Sequence, residues 1–278
     1  MVTLVILTLF YRFYRFFHVF GCQVLMFGSV SPFLKSLFLI LSLMKNGSHK
    51  LDPKFFLSKL GSLISKERGT SFIVNKPQDS SEVFQYILTE IVKGCPDSFK
   101  MISSEVRDSS TCNSCLMSNT SLTLQTSILV PVTDSLVSSI SSFLLENPKN
   151  QVENKFCHSC NCIKEFSLDR NFSILPEILI VNIDRNVSIG NTQIKDDRRL
   201  NFSEKLALSC TCEDEISLRA QYSLKAVINH SGSFRSGHYT AHVKQANTWF
   251  FCNDTLVSKC KLSSCNPAFV SSLFFQRS

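Results

Sequence analysis

Acidic residues are missing from the first fifty-one positions, where Asp52 is the first carboxylate and seven aromatics crowd residues 1–20. No block of five or six basic residues occurs, although the formal net charge is +7. Without a basic tract or an aromatic-interleaved basic stripe, nucleic acid is not an expected partner. No apolar run is long enough to span a bilayer. The opening run from Met1 to Tyr11 is short and is followed by Arg12 and Arg15, and Leu37 to Met44 is shorter still. A membrane anchor is therefore not expected. No basic leader precedes the first run and no clean small-residue cleavage site follows it, which argues against a secretory signal. Internal repeats, low-complexity tracts and long heptads are also absent. Glycine is scarce, at 9 residues.

What is present is enough for a sizeable core. The chain has 278 residues, 44% hydrophobic and 18% charged, with 24 phenylalanines. Such a composition excludes disorder as the default and allows one large or two modest domains. Twelve cysteines would fit a disulfide framework in a short secreted chain. Here four of them form two Cys-x-x-Cys pairs, Cys112–Asn–Ser–Cys115 and Cys157–His–Ser–Cys160, with 41 residues between the pairs. Each such knuckle aims two thiolates at one centre, and two knuckles complete a closed tetrahedral sulfur site for structural zinc. The expected setting is a reducing, intracellular one, cytoplasmic or nuclear. His158 and Cys162 lie beside the knuckles as bystanders. Cys210–Thr–Cys212 is too narrow for a good chelate.

The chain changes character along its length. Ser31–Pro32 and Asp52–Pro53 have the cap-then-proline signature of helix starts. Asp79–Ser–Ser–Glu82 has capping-box spacing, and Val83, Ile87 and Ile91 then recur every fourth residue. Residues up to about 95 therefore read as helical. From Met101 the sequence turns rich in Ser, Thr and Val, which favours strands and turns. Strand-like runs follow at Ile178–Ile183, Ser223–Ile228, Tyr239–Lys244, Thr248–Cys252 and Ala268–Phe275.

His238 lies just after a small-residue loop, at the start of one of those runs. Asn253 and Asp254 come 15 and 16 residues later, at the end of the next. A hairpin across Gln245–Ala–Asn247 would set Asn253 or Asp254 beside the His238 ring. That is the base-and-orienter half of a cysteine protease triad. His242 shares the face of His238 but lies about 13 Å along the strand, outside the site. His230, at the other end of the loop, reads as solvated.

Tyr222–Ser–Leu–Lys–Ala–Val–Ile–Asn–His–Ser–Gly, Gly237–His–Tyr–Thr–Ala, Trp249, Asn253–Asp254 and Val257 together resemble the histidine box of the ubiquitin-specific proteases. Lys76–Pro–Gln–Asp–Ser–Ser–Glu–Val–Phe is similar to the family's Gln-Asp box. Ser173 to Arg185 resembles its Leu-Pro strand, and Phe269 to Phe275 its terminal strand. The resemblance implies an α+β, papain-like cysteine protease fold. A helical thumb would span 23–100, zinc-ribbon fingers 101–170 and an antiparallel β palm 171–278. It further implies that Asn253 orients His238, with Asp254 assisting. Gln78, Asp79, Gly237 and Tyr239 would meet the tail of ubiquitin, the implied partner.

The family's nucleophile box is not matched. Gln23–Val–Leu resembles its far end, and counting back seven residues puts Phe16 where the cysteine belongs, with Tyr14 and Arg15 in place of Asn-Thr. Cys22 would lie about 9 Å along the helix axis from that position. Either the thiol has been lost, or residues 1–20 are a wrong start to the chain. As written, the chain is expected to bind ubiquitin without hydrolysing its conjugates. The rival expectation is a zinc-ribbon interaction module with no enzymatic role.

Overall fold

In a computed structural model, the described residues are 32–45, 54–68, 80–94, 97–144, 152–190, 192–211, 217–233, 236–254 and 256–278. Phe16, Cys22, Gln23, Gln78 and Asp79 lie outside them. The chain divides into two compact units. One takes residues up to Met101 together with Ala226–Cys265, the other Ile102–Lys225 with Asn266–Ser278. No helix among the described residues is long and apolar enough to cross a membrane.

The first unit begins with helices Pro32–Lys45 (α1), Lys54–Arg68 (α2) and Ser80–Gly94 (α3), and the short helix Asp97–Ile102 (α4) follows them. Proline at the first position of α1 costs nothing, because that N–H has no intrahelical partner. Phe33, Leu34 and Leu37 of α1 are buried, as are Leu60 and Ile64 of α2. The expected stripe on α3 is buried too, and Phe84 and Leu88 widen it. At the end of α3, Gly94 lets the Leu34 side chain of α1 pack closely; a Cβ there would displace the Leu34 methyl end.

The strands of the first unit form an antiparallel meander. Strand β10 (Ser217–Gly232) enters it at Ala226, and β11 (Gly237–Gln245), β12 (Thr248–Asn253) and β13 (Leu256–Cys260) follow in order. Ser231 pairs with His238, Ala241 with Cys252, and Cys252 with Val257. The β11–β12 turn is Ala246–Asn247, with Ala246 at φ 50°. The expected hairpin is therefore present. Strand β10 is much longer than the apolar run Ser223–Ile228, because Ser217–Ser223 are held by pairing to β9 (Lys205–Thr211).

The second unit holds two further groups of strands. Strands β1 (Ser104–Cys112), β2 (Ser118–Gln125), β4 (Val152–Cys157) and β5 (Cys162–Ile174) make a four-stranded antiparallel sheet in the order β2-β1-β5-β4. Its strands are polar. Among the described residues, Cys112, Cys157 and Phe166 form the small buried cluster at the hairpin end of this sheet, with Cys160 packed against them. The other group runs β14 (Val270–Arg277), β6 (Ile178–Asp184), β3 (Ile128–Pro131), with β14 antiparallel and β3 parallel to β6. Four consecutive residues of β6, Ile178 to Val181, are buried, as in a strand covered on both faces. A helix, Leu136–Phe143 (α5), and a small hairpin, Asn186–Ile189 (β7) with Thr192–Lys195 (β8), complete the unit.

Candidate active site and four-cysteine centre

His238 is the second residue of β11 and Asn253 the last of β12, and both side chains are half-buried. The hairpin register brings His238 Nε2 and Asn253 Oδ1 to 2.6 Å. An amide oxygen only accepts, so Nε2 carries the hydrogen. In the neutral ring the lone pair is then on Nδ1, the nitrogen turned away from Asn253. A ring with one nitrogen donating to an orienter and the other free to take a proton has the tautomer a general base requires. Asp254 follows in the left-handed region at φ 50°, a conformation that Asp tolerates better than most residues.

The two neighbours of His238 are used in local packing. A Cβ on Gly237 would lie 2.1 Å from His230 Nε2 and 2.4 Å from the Ser231 carbonyl, so only glycine admits the ring. His230 is half-buried, with its ring centroid 4.5 Å from that of Tyr239. The sequence expectation of a solvated His230 fails because β10 continues to Gly232 and carries the residue into the pairing. The Tyr239 hydroxyl accepts the Ser80 N–H at 3.3 Å. It thus satisfies one of the unpaired donors at the start of α3. Tyr239 ties the His238 strand to the helix that follows Gln78 and Asp79.

Sequence reasoning missed a polar relay whose inner members, Cys265, Asn229 and His242, are buried. Cys265 Sγ donates to Asn229 Oδ1 at 3.0 Å. The Asn229 amide donates to His242 Nδ1 at 3.0 Å, and His242 Nε2 meets Ser264 Oγ at 3.4 Å. Ser264 Oγ in turn donates to the Lys261 carbonyl at 2.7 Å. His242 Nδ1 can accept from the Asn229 amide only while the imidazole is neutral. Protonating Nδ1 would oppose it to the Asn229 N–H. Burial accordingly lowers the His242 pKa from its usual 6.5. The unfolded chain therefore binds the extra proton first as pH drops. Stability is full above pH 6.5 and declines as pH falls through that value toward the depressed folded pKa. The unfolding midpoint should be lower at about pH 5 than at about pH 7.5, and His242→Gln should flatten that dependence, as measured by thermal denaturation.

The described cysteines of this unit are poor nucleophiles. Burial pushes Cys252 up to about 11 and Cys265 up to about 12, and it raises Cys260 as well. Thiols in such surroundings carry almost no thiolate at neutral pH.

The second candidate site is the four-thiol cluster at the outer end of the β2-β1-β5-β4 sheet. Sγ atoms of Cys112, Cys115, Cys157 and Cys160 all lie within 4.8 Å of one another. A zinc ion at the centre of a sulfur tetrahedron sets its ligands about 3.8 Å apart, given Zn–S bonds of about 2.3 Å. Cys115 and Cys157 are already at 3.5 Å. The donor set therefore fits zinc and can hold it with no ligand position left open. The cluster also shares protons unequally. The Met117 backbone N–H, with the other thiols, lowers Cys115 to about 6, while its hydrogen bond to Cys115 raises Cys160 to about 12. Both knuckles are shaped by backbone bonds. Leu116 N–H donates to the Cys112 carbonyl at 2.9 Å, and Cys160 N–H to Cys157 Sγ at 3.4 Å.

Each knuckle is followed by a residue at positive φ, Leu116 at 61° and Asn161 at 52°. Asn adopts this conformation readily, whereas Leu is strained there. Leu116 is 75% exposed and gains little from burial. Leu116→Gly should therefore raise the unfolding free energy by about 0.5–1 kcal/mol in denaturant titration.

The His238–Asn253 contact on a β hairpin and the cluster of four thiols in a polar ribbon are the two features that the sequence resemblance implied. The family model described as ubiquitin carboxyl-terminal hydrolase matches residues 20–272, and the chain belongs to that family, within its ubiquitin-specific protease branch. Ubiquitin carboxyl-terminal hydrolase 9 of Arabidopsis thaliana is 31% identical over 146 residues, covering 51% of this chain and 16% of that protein. Ubiquitin carboxyl-terminal hydrolase 25 of the same plant is 36% identical over 131 residues, covering 45% and 19%. The chain thus spans less than a fifth of the length of these relatives. A chain in the solved SAGA Ubp8/Sgf11/Sus1/Sgf73 DUB module bound to ubiquitin aldehyde superposes with a TM-score of 0.66. Its identity is 20%, over 81% of this chain and 53% of that one. At that identity the likeness is one of fold. The α+β architecture expected from the sequence is the one observed.

Proposed function

We propose that this chain is a ubiquitin-recognising domain of the deubiquitinase type that retains the base half of its catalytic centre and lacks the thiol half. The supporting observation is the 2.6 Å contact between His238 and Asn253 in the tautomer a general base needs. Phe16 stands where the family's cysteine is expected, and a phenyl ring can neither attack a carbonyl nor hold a proton. Without a thiol no acyl-enzyme forms, and the remaining interactions amount to binding. In a relative that has the thiol, the pair would take its proton through His238 Nδ1. His238 would then return the proton to the leaving lysine amine, with Asn253 holding the ring throughout. Asp254 would support this arrangement from the following turn.

The thumb (23–100), fingers (101–170) and palm (171–278) would grasp ubiquitin, with Gln78, Asp79, Gly237 and Tyr239 along its tail. Zinc would be structural, held by Cys112, Cys115, Cys157 and Cys160. A reducing intracellular compartment is part of this reading.

Calorimetric titration with free ubiquitin tests it. Saturable binding weakened about tenfold or more by Asp79→Lys is expected, because a cation would replace a carboxylate facing a basic tail. No binding by a folded, zinc-loaded chain would favour the rival interaction module.

A further inference from the structure

The four-stranded sheet of the second unit ends in two different edges. One edge, β4, carries Glu153 and Lys155, paired with each other at 2.8 Å. Charges of this kind protect an edge, since a docking strand would have to desolvate them. The other edge, β2, reads Ser–Asn–Thr–Ser–Leu–Thr–Leu–Gln. It has eight residues, no charge, no proline and no glycine, and seven of the eight are exposed.

The backbone of β2 is also set for pairing. Cys112 N–H donates to the Met117 carbonyl at 2.9 Å, and the β1–β2 register runs unbroken from Thr111↔Ser118 to Ser104↔Gln125. Hydrogen-bonded and non-bonded pairs alternate along an antiparallel ladder. Asn119, Ser121, Thr123 and Gln125 therefore turn their backbone groups toward β1. Ser118, Thr120, Leu122 and Leu124 turn theirs to the open edge. The side chains of these four share one face of the sheet. On it, Thr111 Oγ1 donates to Ser118 Oγ at 3.0 Å, and Ser109 and Thr120 hydroxyls meet at 3.3 Å. Those bonds hold the strand against β1. Leu122 and Leu124 remain 52% and 53% exposed.

We propose that β2 pairs with β2 of a second copy, antiparallel across a twofold axis at Ser121. Only this kind of register joins outward-facing groups to outward-facing groups. Thr120 pairs with the second copy's Leu122, and Ser118 with its Leu124. The four leucines gather on one face and no charge is buried. A second copy is favoured as occupant because the strand is uncharged throughout and its outward residues complement themselves under the twofold. The resulting interface is isologous, and the two sheets become one of eight strands.

Sedimentation equilibrium on the full, zinc-loaded chain should show a reversible monomer–dimer equilibrium. Leu122→Lys should weaken it about tenfold or more by placing like charges across the axis. Glu153→Gln on the opposite edge should leave it unchanged. Cross-linking fixes the register. Residues at a non-bonded antiparallel pair lie about 4.5 Å apart between Cα atoms, within disulfide range. Ser121→Cys should therefore give a reducible dimer above the wild-type background, while Asn119→Cys and Thr123→Cys should not. A monomer at all concentrations would overturn the proposal. So would a dimer indifferent to Leu122→Lys, or cross-links at 119 or 123 in place of 121.

Discussion

Cys157→Ser empties the four-thiol centre and unfolds the outer end of the β2-β1-β5-β4 sheet. The expectation rests on how little else holds that region. Strand β2 is exposed along nearly its whole length, and β4 is exposed except for Cys157 itself. The apolar cluster there consists of Cys112, Cys157 and Phe166. Such a ribbon cannot offset its own chain entropy by burial. Structural zinc binding to small domains is worth on the order of 10–16 kcal/mol, and much of that is folding free energy. A serine hydroxyl at 157 gives no thiolate, and the three remaining sulfurs leave the tetrahedron open. Metal analysis should fall from one zinc per chain to near none, and exchange protection of the β1 and β5 amides should be lost. Retention of zinc with an unchanged melting temperature would show that the cluster is held by packing alone.

Arg185→Met costs about 3–5 kcal/mol of unfolding free energy and leaves zinc content unchanged. The Arg185 guanidinium is buried and donates to four backbone carbonyls. These are Val270 at 2.7 Å, Asp196 at 2.7 Å, Arg198 at 2.9 Å and Pro267 at 2.9 Å. Of the four, the Pro267 carbonyl also accepts the Leu200 N–H at 3.2 Å. Each one stranded without a donor costs about 1–3 kcal/mol, and the costs are not additive. Lysine at 185 would restore the charge but not the planar fork, so Arg185→Lys should recover only part of the loss. Denaturant titration of the three proteins checks the order wild type, Arg185→Lys, Arg185→Met.

These two sites differ in how far the sequence revealed them. The zinc knuckles were legible because chelate geometry is local: two residues between cysteines fix the bite, and only the meeting of the two knuckles needs the fold. The His238–Asn253 contact was legible for a related reason, since a short turn and a period of two determine which side chains face each other across a hairpin. Arg185 was visible as the end of an apolar strand, but its partners come from residues 11 to 85 positions away. No spacing rule encodes four carbonyls. The Asn229–His242–Ser264 relay was hidden similarly, because polar residues inside β10 and β11 break the apolar alternation that marks a strand. Strands β1, β2, β4 and β5 gave no firm boundaries for the same reason. Their Ser, Thr and Asn side chains pair across the ladder instead of filling a core.

Gly237 and Tyr239 carry a further lesson. Resemblance marked them for a ligand, whereas the structure uses Gly237 to admit the His230 ring and Tyr239 to cap α3. A residue can meet both demands, and the packing explains why these types are needed even with nothing bound.

Under the function proposed above, His238 and Asn253 stand without an attacking thiol at position 16. Ubiquitin bearing a C-terminal electrophile tests it most directly, with intact-mass detection of the full chain. No covalent adduct is expected on a chain that still binds free ubiquitin. An adduct on the unmodified chain that disappears with Cys22→Ala would contradict it.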